Sequence, residues 1–312
     1  MTEIERAVEV LRAGGLVAFP TETVYGLGAD ASNEAALHRL YAVKGRPSDH
    51  PVIVHLGSAE MLDDWAVDVP DFARALAGDL WPGPLTLVLR RADHVPDAAT
   101  GGLDTVGLRV PGHPLALELL HAFVGGIAAP SANRFGRVSP TTADAVRSDL
   151  GDDVELVLDG GPCTVGVEST IVDCTGEEVR ILRQGGVTTA VVARITGMQT
   201  VIGGSTPAPG TLDAHYAPDA TVRTIATGEL DALAADTPRA GLLGLVGDVH
   251  DVPAGWVTLA TPADSEDYAR VLYAALRQAD AMGLPVVVAV LPPDEGIGVA
   301  VRDRLRRAAA SR

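Results

Sequence analysis

The chain of 312 residues is 47% apolar, enough for sizeable cores, and its length suggests two domains of about 150 residues each. Its 24 basic and 41 acidic residues give a net charge of −17, which excludes a broad basic face for DNA or RNA. Its longest apolar runs have the length of strands and fall well below the ~20 residues of a membrane helix.

The N-terminal segment predicts an amphipathic helix with acidic residues and contains no apolar signal core, so we expect a cytoplasmic protein. Cys163 and Cys174, the two cysteines, lie eleven positions apart. They form no Cys-x-x-Cys pattern and have no nearby histidine pair, which argues against a zinc site and a disulfide framework. We interpret both as ordinary buried thiols.

Apolar runs and helical patterns alternate through the first 190 residues and predict a mixed α/β or α+β domain. The predicted helices cover residues 34–43, 70–78, 114–123 and 142–149. The predicted strands cover residues 14–20, 51–56, 85–89, 106–110, 126–129 and 154–158.

Periodicity is lost between about Thr200 and Asp219, where Gly and Pro accumulate as in a linker between domains. We therefore divide the chain into a catalytic domain (1–190), a linker (191–219) and a C-terminal domain (220–312). In the last domain a helical pattern at 268–279 precedes the final strand, which predicts a small α/β domain with a parallel sheet. Its predicted strands cover residues 222–226, 241–246, 256–260 and 285–291.

Lys44 is the single lysine beside 23 arginines, and it lies two positions before Arg46. A lysine ammonium is a point charge with three donors, whereas an arginine guanidinium is a planar fork that can bind two oxygens. Together the two residues predict a clamp for a polyanion, although a solvated surface position is an equally common place for a lysine.

Neither of two common nucleotide-binding motifs is well matched by the sequence. A P-loop is excluded, because Lys44 is followed by Gly45 and lacks the required glycine six positions before it. The segment Gly26-Leu-Gly-Ala-Asp-Ala31 matches Gly-x-Gly-x-x-Ala. This match is a weak indication of a dinucleotide site, because Pro20-Thr-Glu-Thr-Val-Tyr25 separates it from the preceding strand.

Hydroxyl and charged side chains recur at the ends of predicted strands, where the ligand sites of sheet proteins commonly lie. Each of them also has an ordinary structural explanation as a cap, a turn residue or half of an ion pair. They are Thr21, Glu22, Thr23, Arg109, Ser131, Asn133, Glu168, Ser169, Thr170 and Arg183.

Several motifs in order resemble the long, two-domain form of the threonylcarbamoyl-AMP synthase family. This resemblance implies a YrdC-like twisted mixed sheet around a concave, positively charged cavity, plus a smaller Rossmann-like α/β C-terminal domain. The motifs are Phe19-Pro-Thr-Glu-Thr-Val-Tyr-Gly-Leu-Gly28, Lys44-x-Arg46, Trp81-Pro-Gly-Pro-Leu-Thr86, Ser131-x-Asn133, Val167-Glu-Ser-Thr-Ile171, His215-Tyr-Ala-Pro218 and Gly296-Ile-Gly-Val-Ala-Val-Arg-Asp-Arg304.

The resemblance implies an enzyme that condenses L-threonine, bicarbonate and ATP into threonylcarbamoyl-AMP for the modification of adenosine 37 in tRNA. Lys44, Arg46, Ser131 and Asn133 would form the catalytic anion clamp. The implied ATP contacts are Lys44, Ser48, Thr105, Ser131, Ser139, Arg183 and Tyr216. The implied threonine contacts are Thr21, His55, Arg109, the Ala129 main chain and Ser169.

No protein metal cage is expected, so Mg²⁺ would arrive on the ATP phosphates. The implied partners are the small substrates and a transferase that accepts the product, with no stable nucleic-acid complex. Two positions depart from the family pattern: Gln184 replaces a proline, and the linker before His215 lacks basic residues. Two alternatives stay open, an RNA-binding module of the same fold and a carbamoyl-transfer domain of the hydrogenase-maturation type.

Overall fold

The computed structural model describes residues 1–210, 215–234, 236–249 and 252–310. Helices in these ranges lie where apolar residues recur at helical spacing, and none of them is both long and apolar enough to cross a membrane. They are α1 (Glu3–Arg12), α2 (Glu34–Lys44), α3 (Leu62–Trp65), α4 (Asp71–Leu80), α5 (Asp97–Thr100), α6 (Pro114–Phe123), α7 (Ala143–Leu150), α8 (Thr189–Thr196), α9 (Leu230–Ala234), α10 (Ser265–Ala281) and α11 (Gly298–Ala309).

The strands are short and mostly buried, as the apolar runs predict. They are β1 (Val17–Phe19), β2 (Gly26–Asp30), β3 (Ile53–His55), β4 (Ala66–Val67), β5 (Leu85–Arg91), β6 (Thr105–Arg109), β7 (Ile127–Ala128), β8 (Leu156–Val157), β9 (Thr170–Asp173), β10 (Val179–Arg183), β11 (Thr200–Ile202), β12 (Thr221–Ile225), β13 (Gly241–Leu243), β14 (Val257–Ala260) and β15 (Val286–Val290).

The first eleven strands form one mixed sheet in the order β11-β10-β9-β5-β6-β3-β7-β2-β1-β8, with β4 paired to β5. Helices α1 and α6 pack together on a core that includes Phe19 and Ile127. A second and larger core contains Leu37 and Leu40 of α2 and Leu76 of α4. The mixed twisted sheet predicted for this part of the chain is confirmed.

Helix ends follow the sequence signals closely. Thr2 caps α1 in a reciprocal capping box with Glu5, and Asn33 caps α2 by accepting from the Ala36 amide. Gly45 ends α2 in the left-handed conformation, with φ of 63°. This ending matters for function because it makes Lys44 the last helical residue.

The segment Gly26–Asp30 is strand β2 and pairs antiparallel with both β1 and β7. In a dinucleotide fold the equivalent glycines form a turn that opens a helix, so this motif is not a dinucleotide fingerprint. Close packing explains the glycine at position 28, where a Cβ atom would lie 2.9 Å from side-chain atoms of Phe19 and Ile127.

The last four strands form a separate sheet in the order β12-β15-β13-β14, and all of its pairings are parallel, as predicted. Helix α10 contributes Tyr268, Leu272 and Leu276 to the buried interior. The predicted linker at 191–219 begins inside regular structure, because it contains the end of α8 and strand β11, which extends the first sheet beside β10. Residues 211–214 of this linker lie outside the described residues.

Contacts between Cα atoms divide the chain into two units that do not follow the sequence order. Unit 1 comprises Met1–Phe135, Pro140–Thr164 and Glu168–Thr211, and unit 2 comprises Gly136–Ser139, Val165–Val167 and Leu212–Arg312. Two short loops of the N-terminal half therefore belong to the C-terminal unit. The domain boundaries predicted from sequence stay a prediction.

His215 and Tyr216 pack inside unit 2. The Tyr216 ring stacks on Tyr273 with centroids 5.8 Å apart, the Arg304 guanidinium lies 5.1 Å above the ring, and His215 meets it edge-on at 4.1 Å. Tyr216 adopts a left-handed φ of 64°, which is uncommon for a bulky residue and is tolerated only where packing holds it. The aromatic pair therefore serves as an anchor of this unit.

Replacing Tyr216 by alanine should lower the stability of unit 2 by about 3–5 kcal/mol, because a large buried ring and its contacts are lost. Tyr216→Phe keeps the ring and should retain most of that stability. Urea unfolding followed by circular dichroism measures both variants. An unfolding curve for Tyr216→Ala that coincides with the wild-type curve would contradict the anchoring role.

Candidate active site

Lys44 is buried at the C-terminal end of α2. Its Nζ donates to the main-chain carbonyls of Ser131 and Asn133 at 2.5 and 2.6 Å, and the Lys44 carbonyl accepts from the Phe135 amide at 2.8 Å. Residues far apart in sequence thus meet around one ammonium group. Because a lysine ammonium carries three donors, one N–H remains for a ligand.

Burial lowers the pKa of Lys44 well below its ordinary value, and the nearby Arg46 guanidinium acts in the same direction. Within the described residues no carboxylate forms an ion pair with the Lys44 ammonium. A buried cation whose partners are carbonyl dipoles is costly to desolvate, and an incoming anion would offset that cost. The position therefore favours an anionic ligand.

Arg46 lies in the loop after α2, where its guanidinium donates to the Pro51 carbonyl at 2.8 Å and approaches the Phe135 ring to 5.8 Å. Ser48 is exposed in the same loop. The Asn133 side-chain amide donates to the Arg134 carbonyl at 2.7 Å, and Ser131 forms an isolated bridge with Gly26. The structure thus brings the four predicted clamp residues into one neighbourhood, but through main-chain contacts that sequence reasoning did not specify.

A second polar group surrounds Arg109 at the end of β6. Its Nε donates to the Gly83 carbonyl at 3.2 Å and its NH1 donates to the Thr23 hydroxyl at 3.0 Å. Its NH2 lies 2.8 Å from Glu22 Oε1, and Glu22 Oε2 accepts from the Gly112 amide at 3.0 Å. We call Glu22, Thr21, Thr23, Arg109 and Ser169 the Arg109 cluster.

The hydroxyls of this cluster form a directed chain of hydrogen bonds. Thr23 Oγ1 lies 2.8 Å from Thr21 Oγ1, which donates to the Val24 carbonyl at 2.7 Å. Since arginine can only donate, Thr23 accepts from Arg109 and gives its own proton to Thr21. The proton positions of both hydroxyls are thereby fixed before any ligand binds.

Ser169 joins the cluster from the neighbouring strands. Its hydroxyl lies 2.8 Å from Thr86 Oγ1, and Thr86 stands opposite Arg109 because Leu87 pairs with Leu108 on antiparallel strands. The Arg183 guanidinium donates to the Ser169 hydroxyl at 3.0 Å and to its carbonyl at 2.8 Å. Arg183 also donates to the Pro209 carbonyl at 2.8 Å, so it fastens the segment that follows β11.

His55 pairs with Arg109 across β3 and β6 and meets the Phe19 ring edge-on at 5.8 Å. Burial lowers the pKa of His55 to about 3, with a further contribution from the Arg109 charge, so the imidazole is neutral near pH 7. The carbonyls of Ile53 and Ile127 act in the opposite direction but do not reverse the shift. The ring can therefore bind a polar group without adding charge.

The Ala129 amide donates to the Ile53 carbonyl at 2.9 Å. A ligand contact with the Ala129 main chain would therefore use its carbonyl. The Ala132 amide, between Ser131 and Asn133 of the clamp, donates to the Tyr25 carbonyl at 2.8 Å. Tyr25 lies two residues after Thr23 of the Arg109 cluster, and two residues of extended chain span about 7 Å, so the clamp and the cluster adjoin.

The contacts described so far do not include three of the predicted site residues. Thr105 is at the opposite end of β6 from Arg109, where it lines an open cavity of about 250 Å³ together with Thr175 and Thr206. Ser139 and Tyr216 are buried and belong to unit 2. Their predicted contacts with ATP stay predictions.

Sequence reasoning assigned no role to Glu22, Thr23 and Thr86, although all three contact predicted site residues. Glu22 and Thr23 stood out as polar residues directly after a predicted strand, and all three residues lie within motifs that resemble the family, Phe19–Gly28 and Trp81–Thr86. The departure at Gln184 has a local explanation, because its side-chain oxygen accepts from the Thr189 hydroxyl at 3.2 Å, next to the start of α8.

Taken together, the two groups combine a buried ammonium and two guanidinium groups with preset hydroxyls, an arrangement suited to anions and small polar molecules. Among the residues that the structure describes, no group of three or more His, Cys, Asp or Glu side chains could hold a metal ion. Burial raises the pKa of the Cys163 thiol to about 12, so this cysteine is not a nucleophile at neutral pH.

Two family models match the chain. The first, described as telomere recombination, matches residues 9–185, and the second, described as the C-terminal domain of threonylcarbamoyl-AMP synthase, matches residues 181–310.

Among curated proteins, the threonylcarbamoyl-AMP synthases of Pyrococcus abyssi and Bacillus subtilis are 41% and 38% identical to the chain. Each alignment covers 99% of this chain, and 95% and 94% of the respective relative. The crystal structure of P. abyssi Sua5 complexed with L-threonine superposes with a TM-score of 0.90 at 38% identity, over 99% of this chain and 94% of that one. The chain therefore belongs to the threonylcarbamoyl-AMP synthase family, as its sequence motifs predicted.

Proposed function

We propose that this chain is an L-threonylcarbamoyladenylate synthase, which condenses L-threonine, bicarbonate and ATP into threonylcarbamoyl-AMP and releases pyrophosphate and water. The observation that carries the proposal is the pairing of a buried cationic clamp at Lys44 with the hydroxyl-rich Arg109 cluster. The relative that was crystallised with L-threonine supports threonine as the amino-acid substrate.

The Arg109 cluster is the proposed threonine pocket. The Arg109 guanidinium, beyond its bonds to Gly83 and Thr23, would receive the α-carboxylate. Thr21, Ser169, the neutral His55 ring and the Ala129 carbonyl would bind the hydroxyl and amine. A neutral histidine suits this role, because an imidazolium would repel the substrate ammonium.

The clamp is the proposed binding site for the phosphates of ATP. Lys44 and Arg46 would neutralise phosphate oxygens, with Ser131 and Asn133 beside them. Mg²⁺ would enter on the phosphates and retain most of its waters, since no protein cage is needed for it. We extend the nucleotide site to Ser48, Thr105, Ser139, Arg183 and Tyr216 on the family pattern.

The proposed reaction has two bond-forming steps. The threonine ammonium gives up a proton, the resulting amine attacks the bicarbonate carbon, a C–N bond forms, and a C–O bond breaks as water leaves. An oxygen of the resulting carbamate then attacks the α-phosphorus of ATP, and the bond to pyrophosphate breaks. Negative charge accumulates on phosphate and carbamate oxygens in the second step, so fixed cations at Lys44 and Arg46 would stabilise its transition state.

The product would pass to a transferase that modifies adenosine 37 of tRNA, and we place this chemistry in the cytoplasm. The two alternatives are less well supported. The first 190 residues carry 14 basic and 27 acidic residues, a charge of 14 − 27 = −13, which disfavours RNA binding. A carbamoyl-transfer protein gives no reason for residues 181–310 to match the synthase C-terminal domain.

The direct test is to incubate the protein with threonine, bicarbonate and ATP-Mg²⁺. Pyrophosphate release is followed continuously, and the adenylate is identified by mass spectrometry. The proposal expects both signals to depend on all three substrates. Pyrophosphate release that is independent of threonine would contradict it.

Replacing Lys44 should show how much the clamp contributes. Lys44→Ala should lower kcat by about 100-fold or more, the usual scale for losing one preorganised charge donor. Lys44→Arg should also lose most activity, because a planar fork cannot occupy the position between two carbonyls that the ammonium fills. Arg39→Ala on the exposed side of the same helix is the matched control. Near wild-type turnover in both Lys44 variants would show that the clamp is not catalytic.

The preference among amino-acid substrates should depend on the side-chain hydroxyl of the substrate. A buried hydrogen-bonding group left without a partner costs about 1–3 kcal/mol, so alanine and glycine should react far more slowly than threonine, with serine the best substitute. Measuring kcat/KM for the four amino acids tests this expectation. Equal values for alanine and serine would overturn the assignment of the pocket.

We also propose that the linker at 191–219 closes over the nucleotide, with the Tyr216 hydroxyl in contact with ATP. Tyr216→Phe separates this role from packing, because it keeps the ring. It should raise the KM for ATP severalfold while the unfolding midpoint changes little. An unchanged KM for ATP would leave Tyr216 with a packing role alone.

A further inference from the structure

Glu22 is a buried carboxylate at the centre of the proposed threonine pocket, and none of the roles described so far uses it. It is 9% exposed, and it lies between two pocket residues, Thr21 and Thr23. Burying an ionised carboxylate is costly unless strong partners compensate, so a carboxylate at this position calls for an explanation.

Both oxygens of Glu22 have defined partners. Oε2 accepts from the Gly112 amide at 3.0 Å, which fixes the carboxylate plane against the turn after β6. Oε1 lies 2.8 Å from Arg109 NH2, close enough for a strong charge attraction. Neither Oε1 nor NH2 makes an aligned hydrogen bond, however, and both atoms are inaccessible in the protein. The pair is thus held by charge.

The other Arg109 contacts restrict where a ligand can approach the guanidinium. The Gly83 carbonyl and the Thr23 hydroxyl occupy Nε and one N–H of NH1. A carboxylate ligand would meet the remaining N–H of NH1, directly beside Glu22. A ligand with a positive group would find the Glu22 oxygen at the same edge.

We propose that Glu22 is a positioning and specificity-determining residue: it fixes Arg109 and cancels its charge, so that the pocket accepts a zwitterionic amino acid and rejects a simple carboxylate. This inference rests on the proposed function, because it takes the Arg109 cluster to be the threonine pocket. Without Glu22 the pocket would contain an uncompensated buried guanidinium, which would attract any small anion, including the bicarbonate co-substrate.

Glu155 provides a matched control within the same unit. Its Oε2 accepts from the Leu16 amide at 2.9 Å, and its Oε1 pairs with Arg39 at 2.5 Å. Like Glu22, Glu155 therefore contacts one main-chain amide and one guanidinium. Glu155 and Arg39 are more than one third exposed, however, and they lie outside the proposed site. Glu155→Gln therefore reports the effect of removing a similar ion pair without touching the pocket.

The experiment measures binding of L-threonine and of (R)-3-hydroxybutyrate, which keeps the carboxylate and hydroxyl of threonine but lacks the ammonium, by calorimetry on the full chain. The wild-type protein should prefer threonine strongly. In Glu22→Gln the Kd for threonine should rise about tenfold or more and the Kd for hydroxybutyrate should fall. The preference should thus shrink by on the order of 100-fold, the scale for truncating one partner of a buried charge pair. Glu155→Gln should leave both Kd values unchanged.

A conservative variant and kinetics separate positioning from mere structural support. Glu22→Asp keeps the charge and should retain the preference for threonine, although the shorter side chain should raise the KM for threonine more than it lowers kcat. If Glu22→Gln does not fold, Thr23→Val replaces it: loss of the NH1 contact should raise the KM for threonine while the preference over hydroxybutyrate is kept.

Equal weakening of both ligands in Glu22→Gln would overturn the inference, as would a preference in Glu22→Asp that falls to the level of Glu22→Gln. Both of these results can be distinguished from a failure of the proposed function. A wild-type protein that binds threonine selectively but releases no pyrophosphate would contradict the synthase activity alone. A wild-type protein that binds neither ligand would contradict both proposals.

Discussion

Much of the candidate site depends on one buried ammonium whose partners are main-chain carbonyls. Lys44 joins the end of α2 to the segment after β7 through Ser131 and Asn133. Carbonyls stabilise the cation without neutralising it, whereas a carboxylate would have formed a closed ion pair and left little field for a ligand. Lys44 and Arg46 thus place two basic groups close together inside a chain whose net charge is −17.

The Arg109 cluster differs from the clamp, because its positive charge is paired with a carboxylate. Its guanidinium faces the Glu22 carboxylate, so the local charge is balanced and orientation, not attraction, decides what binds. The two neighbourhoods adjoin through the hydrogen bond from Ala132 to Tyr25 but differ in electrostatic character. Such a division suits a reaction that combines a polyanion with an amino acid, because each substrate finds the field that complements it and is disfavoured in the other half.

The sequence predicted the type of structure well where the signals are local. The ends of α2 follow from Asn33 and Gly45, and the parallel C-terminal sheet follows from its alternating strands and helices. Strand β2 was missed, because glycine is a poor strand former and only its pairing with β1 and β7 makes it one.

The sequence predicted individual residues of the site but not the hydrogen bonds that connect them. Single polar residues at strand ends, such as Arg109, were visible in the sequence, yet the bond from Arg109 to Thr23 spans 86 positions and depends on the strand order of the sheet. Thr86 was missed for a related reason. A threonine within an apolar strand is common, and only the neighbouring strand β9 brings Ser169 to its hydroxyl.

The membership of two short loops in unit 2 means that neither unit is a continuous stretch of polypeptide. Gly166 illustrates the dependence: with φ of 83°, it lies where a Cβ atom would be 2.4 Å from the Ala269 carbonyl oxygen of α10, so this loop is shaped by a helix more than 100 positions later. A gene cut at the linker would encode an N-terminal fragment whose loops at 136–139 and 165–167 lack their packing surfaces. Exchange of the C-terminal half between homologues would succeed only if these loops were exchanged with it.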